Sequence, residues 1–246
     1  MIQSIDRAFK ILELYKNNNN GDLGVSEISK LLSLSKSTTY GIVNSLYQLG
    51  YLEQNPSNSK YYLGLKFFAF EEIIRPHSNL VNIVHPYLES LVDKFNETAH
   101  FAYKINNRVM YLDKVDCDEE LFFKTAIGKE NYLHSTAVGK CILANQSQEE
   151  IDHILKEDLV ELTEYTITNK NDLLEEFKKI KSQGYAVDNQ EGSIGLVCYS
   201  IPVFINNKCN SAISVSCPTL RINEEKHSEI IKSLSFIRDE LKNKYN

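Results

Sequence analysis

The stretch SLSKSTTYGIVNSLYQLGYLEQ, residues Ser33–Gln54, decides how the chain is read. Its first half is rich in hydroxyl side chains, its second carries aliphatics at helical spacing, and Gly-Tyr-Leu follows. Thr39, Val43, Leu46 and Leu49 recur at three- and four-residue intervals, which predicts a helix with one buried stripe. Gly50 is a natural stop, because glycine tolerates the left-handed backbone that ends helices. The polar front of this helix has two readings. Ser35 caps the free N–H groups and the other hydroxyls are solvated, or the front lies against a polar partner such as nucleic acid.

The flanking segments favour the second reading. Residues 4–15 place Ile5, Phe9, Leu12 and Tyr15 near one helical face, and the Asn17–Asn20 run with Gly21 breaks it. Residues 25–32 predict a short helix with Ser26 as its N-cap and Ile28, Leu31 and Leu32 inward. A tight Ser33-Leu34 connection then leads into the quoted helix. Tyr51–Gln54 and Tyr61–Gly64 are strand-like, joined by Asn-Pro-Ser-Asn-Ser-Lys, which suits a hairpin tip. Three helices followed by a two-stranded ribbon define a winged helix-turn-helix over residues 1–64. Such a fold inserts the N-terminal residues of its second motif helix into the major groove. Ser35, Lys36, Ser37, Thr38, Tyr40 and Asn44 are therefore candidate DNA contacts, with Lys60 and the Ser57-Asn58-Ser59 tip along the backbone or minor groove. Hydroxyls donate to phosphate oxygens and can read either base class, while Lys36 adds charge. Residues 65–75 (LKFFAFEEIIR) predict a linking helix that ends before Pro76.

A net charge of −6 looks wrong for a DNA binder, but the charge is uneven. Residues 1–75 carry eight Lys and Arg against seven Asp and Glu; the remainder carries nineteen against twenty-six. Phosphates feel the local face of a protein, not its total charge. The 246 residues, 42% hydrophobic and 24% charged, suit two globular domains, and no apolar run reaches the length of a membrane span. The N-terminus has no signal-peptide core, so a cytoplasmic location is expected. Five cysteines without a C-x-x-C pair argue for reduced thiols and against a zinc knuckle; six histidines without H-E-x-x-H give no metal site.

Beyond residue 76 the pattern changes. An amphipathic helix is predicted over 79–96, strands over 99–105 and 108–115 around Asn106-Asn107, and a strand over Leu121–Thr125. Helices at 135–145, 148–156 and 171–183 follow, then strands at 185–188, 196–205 and 209–217 around Asn206-Asn207, and a last helix at 223–243. Hairpins surrounded by helices make this an α+β domain on an antiparallel sheet. In its last strand Ser214 and Ser216 share one face, with Ile213, Val215 and Cys217 on the other. Ser135-Thr136 before Ala137-Val138-Gly139-Lys140 predicts a helix start with free N–H groups, suited to a small carboxylate.

The motifs QSIDRA (3–8), VSEISK (25–30), KSTTY (36–40) and LGYL (49–52), then HSTAVGK (134–140), GYAVD (184–188) and SVSCP (214–218) with Arg221-Ile222, together resemble the IclR family of bacterial transcription regulators. The resemblance spans nearly the whole chain, with the motifs in order. It implies a regulator, a repressor, whose GAF-like domain over residues 76–246 binds a small organic acid and assembles the protein into a homodimer or homotetramer. Carried over by motif, the effector-binding positions are Ala137, Val138, Asp188, Cys198, Ser214 and Ser216. A carboxylate at Asp188 repels an anionic ligand, so Asp188 is expected to accept from a ligand hydroxyl or to have a raised pKa. One position departs from the family: Gly41 stands where a basic residue is usual. The rival readings are an enzyme using Cys198, His134 and Asp188 as nucleophile, base and orienter, and a thiol redox sensor using Cys198 or Cys217. Gly192-Ser193-Ile194-Gly195 is not a G-x-S-x-G elbow, and no phosphate loop or metal pair accompanies it, so the expectation is no enzyme and no cofactor.

Overall fold

A computed structural model describes residues 2–17, 21–74, 79–119 and 125–245. Contacts cluster in two compact units, Met1–Asn79 and Leu80–Asn246.

In the first unit, α1 (Gln3–Glu13), α2 (Val25–Leu31) and α3 (Lys36–Gln48) are followed by β1 (Leu52–Gln54), β2 (Tyr61–Leu63) and α4 (Lys66–Ile74). The strands pair antiparallel, with Leu52 opposite Leu63 and Gln54 opposite Tyr61. This is the winged helix-turn-helix. Its core joins Ile11 and Tyr15 to Ile28, Val43, Leu46 and Leu52. Ser35 caps α3, accepting from Thr38 N at 3.1 Å, while Ser33 takes the left-handed conformation (φ 53°) that turns α2 into α3. Four local expectations change. Ile5 and Phe9 are exposed, and Ile11 takes the inward place. Helix α1 has apolar residues on both sides, so periodicity alone does not tell which side meets the core. Leu31 is exposed and Leu32 only half-buried, leaving Ile28 as the anchor of α2. Leu49 is exposed because α3 ends at Gln48, and only Thr39, Val43 and Leu46 are buried. Ser26 is not the cap of α2; the helix starts at Val25, and Glu27 Oε2 accepts from Gly24 N at 2.6 Å.

In the second unit, α5 (Asn79–Phe95) leads to the hairpin β3 (Thr98–Ile105) and β4 (Arg108–Val115), then β5 (Glu130–Tyr132). Next come α6 (Ala137–Leu143), α7 (Gln148–Ile154) and α8 (Lys170–Gln183). Strands β6 (Ala186–Asn189), β7 (Leu196–Ile205) and β8 (Lys208–Pro218) precede α9 (Glu224–Tyr245). All six strands form one antiparallel sheet in the order β5-β4-β3-β8-β7-β6. On one face Ile213, Val215 and Tyr199 pack with Leu88 and Leu91 of α5 and Leu234 and Leu241 of α9. On the other, Val138, Cys141 and Ile142 of α6 pack with Phe177 and Ile180 of α8 and with Ala102, Val109 and Ala212 of the sheet. The fold is α+β and GAF-like, with the sheet covered on both sides. The alternation expected for residues 213–217 is present, but the serine face is not wet: Ser214 is buried beneath α6. The strand expected over 121–125 falls almost wholly outside the described residues. Among the described residues the edge beyond β4 is β5, a short polar strand that alternation does not reveal.

The wing closes tightly on the end of α3. Gly64 N donates to Tyr51 O at 2.9 Å, and a Cβ on Gly64 would lie 2.3 Å from the Gly50 carbonyl oxygen. Because that neighbour is backbone, it cannot rotate away. Gly64→Ala is expected to destabilise the first unit by about 1–3 kcal/mol, checked as faster hydrogen exchange of the α3 and β1 amides with the second unit unchanged.

Candidate functional sites

The first site is the outer face of α3. Lys36, Ser37 and Tyr40 are exposed, Asn44 is half-buried beside them, and Tyr40 retains 56% of its accessible surface. Ser35 is engaged in its cap: its hydroxyl also donates to Thr38 Oγ1 at 2.8 Å and lies 3.1 Å from Ser37 Oγ. Thr38 is thereby half-engaged locally. Lys60 is drawn to α2, its ammonium 2.9 Å from Glu27 Oε1, and that contact holds the Glu27 carboxyl below its usual range. At the wing tip the Asn55 and Asn58 amides both donate to Asp22 Oδ2, at 2.8 and 3.0 Å. So Lys36, Ser37, Tyr40 and Asn44 stand together, Ser35 and Thr38 serve the helix start, and Lys60 braces the wing.

The second site is a cavity of about 170 Å³ between α6 and the sheet. Ala137, Val138, Asp188, Cys198, Ser214 and Ser216 all line it. Register brings them together: Asp188 pairs with Cys198, and Cys198 with Ser216, in one row across β6, β7 and β8. Cys198 Sγ lies 3.2 Å from Ser216 Oγ. Thr136 caps α6, accepting from Gly139 N at 3.1 Å, and its hydroxyl donates to Tyr132 O at 3.0 Å.

Sequence reading missed the opposite wall. Tyr111, Thr125 and Asn131 also line the cavity, and Asn131 donates to Tyr111 Oη at 3.4 Å. Behind it His100 is fully buried, its Nε2 2.6 Å from Thr125 Oγ1 and its Nδ1 3.5 Å from Ser216 Oγ. The signal was a lone histidine in the apolar run TAHFAY. Also missed was Lys140, 1% exposed, which donates to Val187 O at 2.7 Å and pairs with Glu191. A single lysine inside AVGKCIL was its mark.

Burial sets the protonation states. It pushes Asp188 up to about 7, with the Glu191 charge adding to the effect. Burial and the nearby Lys114 charge lower His100 to about 4, so it is neutral. Burial, then the Asp188 charge, raises the Cys198 thiol well above its ordinary value, so the sulfur holds its proton and is a poor nucleophile or redox sensor. Cys217 is likewise raised by burial, to about 12. His134 is tied to Val160 O at 2.9 Å and is not among the cavity-lining residues, so the proposed nucleophile, base and orienter are not assembled. Among the described residues no His, Cys, Asp or Glu cluster is placed to hold a metal.

A winged helix-turn-helix head joined to an antiparallel-sheet domain defines a class of DNA-binding transcription regulator. The IclR helix-turn-helix domain matches residues 4–56, and the bacterial transcriptional regulator IclR C-terminal domain matches residues 75–240. The chain belongs to the IclR family and is a DNA-binding transcription regulator. It is 32% identical to the HTH-type transcriptional regulator KdgR of Escherichia coli K12, over 95% of this chain and 89% of that one. With the transcriptional repressor IclR of the same organism it shares 27% identity, over 93% and 84% of the two chains. The crystal structure of Thermotoga maritima IclR superposes with a TM-score of 0.75 at 31% identity, covering 99% of each chain.

Asp188 ties stability to pH. Unfolded, it releases its proton near 3.8; folded, near about 7. Its contribution is therefore complete below about pH 4 and is lost as pH rises to about 7, at a limiting slope of about 1.4 kcal/mol per pH unit. Asp188→Asn keeps an acceptor for Glu191 N and Gly192 N, at 2.7 and 3.3 Å from Oδ1 in the parent. It is expected to flatten that slope, read by denaturant titrations of both proteins at pH 5, 6 and 7.

Proposed function

We propose that the protein is a repressor whose operator affinity is set by a small organic acid bound in the cavity under α6. The observation that carries this reading is the convergence on one cavity of Ala137 and Val138, Asp188, Cys198, and Ser214 and Ser216, from four separate segments. In the first turn of α6 the Gly139 amide is taken by Thr136, which leaves the Ala137 and Val138 amides for a ligand carboxylate. Ser214 and Ser216 hydroxyls and the protonated Asp188 carboxyl supply donors for its other oxygens. A space of about 170 Å³ suits a compact acid, since a cavity of about 150 Å³ accepts benzene. An IclR homologue from Microbacterium hydrocarbonoxydans, of the same fold at 19% identity, has been crystallised with 4-hydroxybenzoate, and several relatives are named repressors.

In this reading residues 1–64 contact DNA, 65–75 link, and 76–246 bind the effector and assemble the protein. One winged head covers one half-site, so the working form is a homodimer or a homotetramer built from such pairs. It acts in the cytoplasm, and no described helix is long and apolar enough to cross a membrane. Ligand binding shifts operator affinity only by its preference between two arrangements of the heads.

Two measurements test this. Lys36→Ala is expected to weaken duplex binding and reduce the slope of log affinity against log salt by about 0.9, the signature of one lost phosphate contact; an unchanged slope removes α3 from the interface. Ser214→Ala with Ser216→Ala is expected to weaken effector binding at least about tenfold, the loss of one to two net hydrogen bonds, while duplex affinity stays at the parent level. The effector itself comes from thermal-shift screening of small keto, hydroxy and aromatic carboxylates. A variant that still responds normally to the acid found in that screen overturns the assignment of the cavity.

A further inference from the structure

We infer that Gly41 is a specificity determinant of the DNA-reading helix: a bare backbone position that seats α3 close enough to the base edges for the short Asn44 amide to reach an adenine. The inference rests on the reading of α3 as the DNA-facing helix.

Gly41 lies inside α3, and glycine is the poorest helix former after proline. Of the chain's ten glycines, five have positive φ, and a Cβ on four others would come within 3.2 Å of a neighbour. Gly41 alone has neither reason. It is exposed, its φ is not positive, and a Cβ there would meet nothing within 4 Å. The backbone at this point is regular: Ser45 Oγ donates to Gly41 O at 2.9 Å, and α3 runs unbroken from Lys36 to Gln48. Nothing inside the chain is gained by leaving out the side chain, and the helix is weaker for it. The gain then lies with a partner, and for a DNA-binding regulator the partner of this helix is the major groove. Glycine's other established use is to let backbone approach a ligand closely.

The neighbours say what that approach is for. Asn44 is one helical turn on, beside Gly41 and Tyr40 on the helix surface. Its half-buried amide has no hydrogen-bond partner among the described residues. Asparagine reads adenine through paired bonds to N6 and N7, and its short side chain reaches them more readily the closer the helix backbone sits to the base edges. A side chain at position 41 would hold the helix off.

The test is selection of duplexes with a randomised core of about two helical turns by the full chain and by Gly41→Ala, Gly41→Gln, Asn44→Ala and Lys36→Ala. The parent is expected to enrich a sequence containing an adenine whose preference vanishes in Asn44→Ala. Gly41→Ala is expected to melt no lower than the parent yet bind the parent's selected duplex about tenfold more weakly, and Gly41→Gln more weakly still. Binding by Gly41→Ala within about twofold of the parent, with the same selected sequence, overturns the inference. A lower melting transition for Gly41→Ala also overturns it, since the fold itself would then need the glycine. An adenine preference that survives Asn44→Ala overturns the role given to that amide. If the parent enriches nothing and Lys36→Ala leaves the salt slope unchanged, the DNA-facing reading of α3 fails and this inference with it. That outcome is distinct, because in the others the parent still selects.

Discussion

Lys140 sits in the middle of α6 with 1% of its side chain exposed, and its ammonium is held by the Val187 carbonyl and the Glu191 carboxylate, with Glu176 3.7 Å away. These partners lie on β6, on the segment after it, and on α8. One buried charge therefore joins three parts of the second unit, and each part supplies a wall or a support of the cavity. A lysine buried without partners would be costly, and so would Glu191 without its lysine. The pairing thus fixes where α6 lies over the sheet. Asp188 is set by the same segment: its Oδ1 accepts from the Glu191 and Gly192 amides, so it cannot turn away from the cavity without releasing them. Elsewhere around the pair, one oxygen of Glu191 and the Ser135 hydroxyl are buried without a protein partner. The polarity of this region exceeds what its own hydrogen bonds absorb.

The head works under a different constraint. Helix α3 must present one face to its own small core and, in the proposed reading, the opposite face to a polyanion, with only 13 residues for both tasks. Val43 and Leu46 are wholly or almost wholly buried, and Thr39 joins them by donating to the Ser35 carbonyl at 3.0 Å. That leaves Lys36, Ser37, Tyr40 and Asn44 to the outside. Ser35, at the junction, belongs to the fold, because its oxygen already serves Thr38 N. Hydroxyls that looked alike in the sequence therefore differ in exposure and commitment: Ser35 holds the cap, while exposed Ser37 and half-buried Thr38 each make one side-chain contact, with Ser35. Lys60 is committed as well. Its ammonium ties the wing to α2 through an exposed ion pair with Glu27, a weak contact.

Sequence patterns captured what depends on period and local chemistry. The alternation of residues 213–217 settles both faces of β8, because a strand has only two. The Ser35 cap, the Gly50 stop and the two Asn-Asn turns follow from backbone preferences that act within four residues. What escaped depends on partners distant along the chain. Ile5 and Phe9 satisfy the helical period as well as Ile11 does, and only the position of α3 decides which side is inward. Strand β5 is three polar residues whose place comes from pairing with β4. His100 and Lys140 sit in apolar runs, where a titratable group announces a buried bond but not its acceptor. Of the cavity, the β8 and α6 side was legible through local motifs; the Tyr111, Thr125 and Asn131 side was not, because no short motif spans those strands.

In the proposed reading, the cavity's electrostatics bear directly on the kind of acid it takes. An anionic carboxylate close to an ionised Asp188 would set two like charges in a site shielded from water, where their repulsion is little screened. With Asp188 held near about 7, the proton needed to remove that charge is nearly free at neutral pH. A bound anion raises the group further, and the carboxyl then donates to a ligand oxygen as an uncharged acid. His100 cannot assist as a cation, since burial keeps it neutral, and Lys140 is committed to Glu191. Lys129 lines the cavity but is exposed, so its charge is screened. In the proposed reading the site therefore removes its own charge by protonating Asp188 and meets the ligand carboxylate with backbone amides. Behind the cavity wall Lys114 donates to Thr125 O at 3.0 Å but is paired with Asp116, so in the proposed reading the described residues leave a ligand's second charge without an unpaired buried cation, which favours monocarboxylates over di-acids.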